Sequence, residues 1–231
     1  MTTVLITGAN RGIGLEFARQ YLARGDRVLA TCRDVVAASA LQQLVGANHK
    51  QLVLLPLDVA DDQSIAAFSQ QLRDEAVDIF INNAGVYGPR DGKFGKVAGA
   101  DWLHVLQVNA VAPLLLTQAL MSNLRKGSSK KLVYITSKMG SIADNGGGGH
   151  YIYRSSKTAL NMVVKSLAID LAGAGFIAAV LHPGWVKTDM GGPNALIDTV
   201  TSVTGMVEVI DGLDQQQSGR FFNYDGSDIP W

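Results

Sequence analysis

Val4-Leu5-Ile6-Thr7-Gly8-Ala9-Asn10-Arg11-Gly12-Ile13-Gly14 joins a short apolar run to a segment, Leu15 to Ala23, whose apolar residues recur at helical spacing. The reading is strand, glycine turn, helix. At such a join the absent side chains let backbone amides approach a pyrophosphate at the helix N-terminus. Gly8, Asn10, Arg11, Gly12, Ile13 and Gly14 are therefore candidates for holding a dinucleotide. The spacing is G-x-x-x-G-x-G rather than the more general G-x-G-x-x-G, and an ordinary tight turn is the alternative reading of this motif alone.

Outward from this stretch the alternation continues. Arg27 to Thr31 reads as a strand, Ala37 to Val45 as a helix, Leu52 to Leu57 as a strand and Asp62 to Glu75 as a helix. Val77 to Ile81, Leu132 to Thr136 and Ala178 to Leu181 supply further buried strands, separated by helices near Trp102 to Ala119 and Ser155 to Ala172. Strands alternating with helices imply an α/β fold, and right-handed crossovers place helices on both faces of a doubly wound parallel sheet. With no linker or solenoid repeat in view, residues 1–231 are expected to form a single domain. Asp144 to Gly149 reads as a flexible loop. From Gly191 to about Asp211 the spacing is ambiguous, and a variable, mobile flap over about 189–212 is the expectation.

Twenty basic and twenty acidic residues cancel, so no overall field draws the chain to nucleic acid or to an anionic membrane. No apolar run is long enough for a membrane span, and the start at Met1 lacks the pattern of a secretory signal. The single cysteine, Cys32, has no partner for a disulfide or a thiolate metal site, which fits a reducing cytoplasm. His150 and His182 lack ligand spacing and are expected in structural or loop roles, with no metal.

The second strand ends Ala30-Thr31-Cys32-Arg33, where an acid would receive the adenosine ribose hydroxyls of NAD; none occurs until Asp34. Arg33, with Arg11, suits a ribose 2′-phosphate through charge-assisted hydrogen bonds, favouring NADP(H) over NAD(H). The alternative is a solvated Arg33 with Asp34 turned inward. Asp58-Val59, after the third strand, either accepts from an adenine amino group or caps the next turn. Asn82-Asn83-Ala84-Gly85, after the fourth, would let the chain pass beside the adenosine ribose while its amides tie neighbouring strands; by itself it reads as a turn.

Tyr153-Arg154-Ser155-Ser156-Lys157 puts an ammonium near a phenol, because residues four apart share a helix face. A phenol is a poor acid at neutral pH unless a cation stabilises its phenolate. Tyr153 is thus a candidate general acid and base with Lys157 beside it, and a solvated helix face is the alternative for the pair taken alone. Tyr151 has Ser155 at the equivalent place and lacks that partner. Ser137, ending the fifth strand, is placed to hydrogen-bond a reacting oxygen, with Thr136 and Ser141 as rivals. Asn109 falls inside a helix, where its amide can hold a water against the backbone and relay protons towards Lys157, or simply lie on the surface. His182-Pro183-Gly184-Trp185-Val186-Lys187-Thr188-Asp189 makes a sharp turn after the sixth strand, where Pro183, Gly184, Val186 and Thr188 can meet the nicotinamide carboxamide or a phosphate.

Taken in order, Thr7 to Gly14, Asp58, Asn82 to Gly85, Asn109, Ser137, Tyr153, Lys157 and Pro183-Gly184 resemble the short-chain dehydrogenase/reductase pattern across most of the chain. The resemblance implies a Rossmann-type sheet of about seven strands. It also implies a catalytic set of Ser137, Tyr153, Lys157 and Asn109, and a substrate pocket closed by the segment after Thr188. Ser137 to Ile142, His182 to Gly192 and the ending from Gly219 to Trp231 are similar to the sniffer carbonyl reductase and C-factor group. That group implies NADPH-linked reduction of ketones, aldehydes or quinones in some members and signalling roles in others. Ser137 and Tyr153 stand sixteen positions apart, longer than the family's usual gap because of the glycine-rich loop.

The expected activity is hydride transfer between NADPH and a carbonyl or alcohol carbon, with Tyr153 moving the proton and Lys157 lowering its pKa. The expected partner is a small carbonyl or alcohol substrate, hydrophobic if Met139, Tyr151, Trp185 and Met190 line its pocket rather than the core. A dinucleotide-binding regulatory protein with incidental turnover is the rival. As in family members, the two long helices are expected to pair across a two-fold axis in a homodimer or homotetramer.

Overall fold

The computed structural model describes residues 1–48 and 50–231. Its centre is a seven-stranded parallel sheet in the order β3-β2-β1-β4-β5-β6-β7. The strands are Thr3–Ile6 (β1), Arg27–Cys32 (β2), Leu52–Pro56 (β3), Ile79–Asn82 (β4), Lys131–Ile135 (β5), Ile177–His182 (β6) and Phe221–Asn223 (β7). β4 and β6 read IFIN and IAAVLH and are buried almost end to end. A parallel sheet covered on both faces leaves no wet side on which polar residues would alternate.

Around the sheet lie α1 (Gly12–Ala23), α2 (Ser39–Asn48), α3 (Asp62–Leu72), α4 (Gly99–Leu106), α5 (Ala112–Ala119), α6 (Met121–Lys126), α7 (Tyr151–Asp170) and α8 (Thr199–Gly212). Successive strand residues feed opposite cores, as the two-residue period of a strand requires. Ile6, Val28, Val133 and Leu181 join Phe17 of α1 and Met206 of α8 on one face. Leu5, Leu29, Phe80 and Leu132 join Phe68 of α3, Leu116 of α5 and Val164 of α7 on the other.

The stretch expected as a mobile flap is corrected from residue 199 onward: it is α8, packed on α1 and burying Val203, Met206, Val207 and Ile210. Its sequence, TVTSVTGMVEVIDG, is rich in β-branched residues and glycine, poor helix formers by themselves. Burial of one face and the Asp198 carboxylate, which accepts from Thr201 N at 2.7 Å, hold it helical. The single helix expected near Trp102 to Ala119 is α4 and α5 joined through a π-turn, Gln107–Val111, that carries Asn109.

From β1 the chain winds outward to β3, and from β4 outward to β7. The loops leaving β1 and β4 therefore part company and open a crevice at the carboxyl edge of the sheet, where ligands of such folds bind.

Candidate active site

A cleft of about 560 Å³ occupies that crevice. One wall is the glycine turn. Gly8 and Gly12 have φ of +65° and +54°, and a Cβ on Gly14 would stand 2.3 Å from Gly8 O and 2.6 Å from Asn83 Nδ2. The turn is stitched to the loop after β4: Thr7 Oγ1 accepts from Asn83 N and Ala84 N, both at 3.0 Å. Asn83 Nδ2 returns bonds to Thr7 O at 2.9 Å and Gly8 O at 3.2 Å.

Gly8, Asn10, Arg11, Gly12, Ile13, Arg33, Asp58, Val59, Asn83, Ala84, Gly85, Tyr153, Lys157, Pro183 and Thr188 all line this one cleft. At its far end Arg33 faces in beside Cys32, whereas Asp34 Oδ1 is committed to the amides of Val36 and Ala37, each at 2.9 Å. The inward-turned Asp34 is thus not the conformation observed. Asp58 both lines the cleft and caps the next turn, since its Oδ1 accepts from Ala60 N at 3.0 Å. Arg11 is already engaged: Nη1 meets Asp189 Oδ2 at 2.5 Å across the mouth, an ion pair of two exposed side chains.

At the other end Tyr153 and Lys157 are both buried. Burial pushes the Tyr153 phenol up to about 12, opposed by a hydrogen bond with the Ser137 hydroxyl. Ser137 itself lies just outside the cleft lining, its Oγ accepting from Met139 N at 3.1 Å. Of its rivals, Thr136 lines the cleft but commits its Oγ1 proton to Asn161 Oδ1 at 2.7 Å, and Ser141 Oγ accepts from Asp144 N at 3.0 Å. Burial likewise draws the Lys157 ammonium down to about 8, while Nζ donates to Ile135 O at 2.9 Å and stands 5.9 Å from the centre of the Tyr153 ring. In this arrangement Lys157 sits over the ring face rather than at the phenol oxygen, so the expected depression of the Tyr153 pKa is replaced by the upward push of burial.

A titration follows from Lys157. Native lysine releases its proton near 8, and unfolded lysine near its ordinary 10.4, so between those values the unfolded state holds more protons and stability rises with pH. Urea unfolding at pH about 7.5 and about 9.5 should show that gain in the wild type and a smaller one in Lys157→Met; equal gains would remove Lys157 from the account.

Asn109 is on no surface: it is 1% exposed beneath Gly85. Its Oδ1 accepts from Val86 N at 2.9 Å, and Nδ2 donates to Val86 O at 2.8 Å and Ser156 Oγ at 3.0 Å. Gly14, Gly184 and Val186 also lie off the lining. Gly14 supports the turn from behind, Gly184 (φ +83°) packs against Ile197 and Tyr224, and Val186 is buried. Of the residues singled out as apolar pocket candidates, Met190 lines the cleft.

Sequence reasoning passed over Tyr87, whose ring stacks on that of Tyr153 with centroids 4.4 Å apart, and Arg90, which donates to the carbonyls of Asp189 and Met190 at 3.3 and 3.0 Å. Both lie in an aperiodic loop, where spacing carries no signal. His150, in the left-handed region at the start of α7, meets Tyr87 Oη through Nδ1 at 3.1 Å. Among the described residues no cluster of potential metal ligands occurs.

The short chain dehydrogenase family matches residues 2–196, and the chain belongs to it. It is 48% identical over 165 residues to C-signal of Myxococcus xanthus, covering 71% of this chain and 99% of that protein. It is 32% identical to 1-hydroxy-2-glutathionyl-2-methyl-3-butene dehydrogenase of Rhodococcus sp. (strain AD45), over the whole length of both. Among solved structures, the carbonyl reductase Sniffer of D. melanogaster superposes with a TM-score of 0.94 at 34% identity, covering all of both chains. An NADPH-bound carbonyl reductase from chicken fatty liver gives 0.92 at 35%, covering 100% of this chain and 99% of that one. The fold is the Rossmann-type fold of these neighbours.

Proposed function

We propose that this protein is an NADPH-preferring oxidoreductase acting between a carbonyl and an alcohol carbon, reducing a ketone, aldehyde or quinone. The observation that carries this reading is the cleft itself, lined by Tyr153 and Lys157 and by Arg33, with Ser137 just behind the lining in hydrogen-bond contact with the Tyr153 phenol. The glycine turn, open to close backbone approach, and the cationic Arg33 end suit a dinucleotide phosphate, and the carbonyl reductase neighbours solved with NADPH or NADP support the assignment. When bound, NADPH supplies a hydride, two electrons and a proton together, to the carbonyl carbon.

Ser137 and Tyr153 hold the carbonyl oxygen, and Tyr153 gives its proton to the oxygen as the C–O double bond becomes single. Lys157, tied to Ile135 O, keeps its ammonium beside the Tyr153 ring, where it would hold a cofactor hydroxyl. The side-chain N–H groups of Asn109 are both taken by protein partners, so it acts here as a positioning residue that fixes the Gly85–Val86 loop beside Lys157. The proposed assembly is a homodimer or homotetramer through α4, α5 and α7, and the proposed location is the cytoplasm. Among the described residues no helix is long and apolar enough to cross a membrane.

Titration of nicotinamide fluorescence with NADPH and NADH, followed by absorbance with aldehydes, ketones and quinones, tests the proposal. Arg33→Glu should weaken NADPH by about tenfold to a hundredfold, the worth of one charge-assisted hydrogen bond, while leaving NADH nearly unchanged. An equal effect on both cofactors would sink the 2′-phosphate assignment. The likeness to C-signal favours a second reading, a dinucleotide-binding signalling protein in which turnover is incidental. Tight NADPH binding without turnover of any carbonyl would select it.

A further inference from the structure

Two guanidiniums, Arg90 and Arg154, lie near the Tyr87 ring that stacks on Tyr153, outside the cleft lining itself, and the hydride transfer makes no use of them. Tyr87 lies face to face with Tyr153 at an interplanar angle of 25°. The Arg90 guanidinium stands over the Tyr87 ring, 5.8 Å from its centroid, and His150 holds the Tyr87 hydroxyl. Arg154 follows Tyr153 in the chain and turns back to the serine-bearing turn, donating from Nη1 to Met139 O at 3.3 Å. Burial raises the Tyr87 pKa, and Arg90 and Arg154 are the two charges that oppose it.

No carboxylate answers these two guanidiniums. Among the described residues neither forms a salt bridge, and their protein partners are the neutral carbonyls of Met139, Asp189 and Met190. The Asp189 and Asp144 carboxylates on the flanking loops pair with Arg11 and Lys138. Arg154 Nε is buried with no hydrogen-bond partner at all. Each guanidinium has five N–H groups in a planar fork and spends one terminal nitrogen on backbone carbonyls, so donors suited to a carboxylate remain on Arg90, which is exposed, and on Arg154, which is half-buried. Tyr151 and Met190, on the flanking segments, are each 40% exposed and offer apolar surface nearby.

We infer that the substrate is a carbonyl compound with an apolar or aromatic body and a carboxylate remote from the reacting carbon, the carboxylate being held at the mouth by Arg90 and Arg154. This rests on the proposed carbonyl reduction at Tyr153. It narrows that reading to oxo acids, with the Tyr87–His150 pair as a wall along which the body of the substrate lies.

The test uses 4-formylbenzoate and its methyl ester, which share an aldehyde and a ring and differ in charge. Equilibrium binding to the NADP⁺-loaded protein is measured by calorimetry, and kcat/KM is measured with NADPH. The acid should bind and react about tenfold or more better than the ester, the scale of one charge-assisted contact. The preference should shrink with salt and fall towards unity in Arg90→Gln, in Arg154→Gln and in the double variant. Arg90 is exposed and its bonds to the Asp189 and Met190 carbonyls join two surface loops rather than the core, so it keeps the test decisive if Arg154→Gln disturbs the Met139 turn. Equal handling of acid and ester by the wild type, a preference that survives in the double variant, or binding of neither overturns the inference. Preferential binding of the acid without reduction supports the anion site and overturns the reductase reading instead. Reduction of the ester with no preference for the acid does the reverse.

Discussion

Tyr153→Phe should lower kcat by a factor of about 10²–10⁴, the usual worth of a positioned general acid, while the dissociation constant for NADPH stays within about twofold. The ring that stacks on Tyr87 and lies under Lys157 is kept, so the change removes the proposed proton donor and little else. Ser137 loses its partner at the phenol but retains the amide of Met139. Single-turnover absorbance at the nicotinamide band, alongside fluorescence titration, separates the two quantities. Undiminished turnover in the variant would remove Tyr153 from the chemistry, however well it is placed.

Gly14→Ala should act on the opposite end of the reaction, through binding. A backbone carbonyl at 2.3 Å from the new Cβ cannot swing aside as a side chain would, so either α1 retreats from the turn or Asn83 gives up its bonds to Thr7 O and Gly8 O. Overpacking of this kind costs about 1–3 kcal/mol, and because the displaced groups are those expected to face the cofactor phosphates, NADPH affinity should fall by about fivefold to a hundredfold. Gly46→Ala is the matched control, since a Cβ there meets nothing within 4 Å on an α-helix. It should leave binding alone and add about 1 kcal/mol or less of stability. Similar affinities in Gly14→Ala and Gly46→Ala would mean that the glycine turn does not bind phosphate.

The parallel sheet was legible in the strand-turn-helix alternation because apolar runs of strand length, bounded by turn residues, recur between longer stretches of helical spacing. Helix α8 was not, because its helicity comes from the core it covers and its Asp198 cap rather than from the propensities of TVTSVTGMVEVIDG. β7 is three residues long and takes its place by pairing with β6, a contact that spacing cannot show. At the site, Tyr153 and Lys157 were legible because four residues make a helical turn. Asn109 was legible as a residue but not as a contact: its partner loop at Val86 lies twenty-three positions away. Tyr87, Arg90 and the exposed reach of Arg11 to Asp189 depend on where loops meet, and no periodicity records that.

The stitching of Thr7 to Asn83 and Ala84 divides the molecule's freedom to diversify. The proposed dinucleotide groove is welded to β1 and β4, neighbouring strands in the middle of the sheet, so a change there is felt by the whole sheet. The rim from Tyr87 to Arg90, the turn at Met139, His150 and the stretch from Trp185 to Gly192 hang from strand ends and contribute little to the core. Lineages of this chain can therefore exchange one substrate for another by rewriting a few loop residues, at almost no risk to the scaffold that carries them.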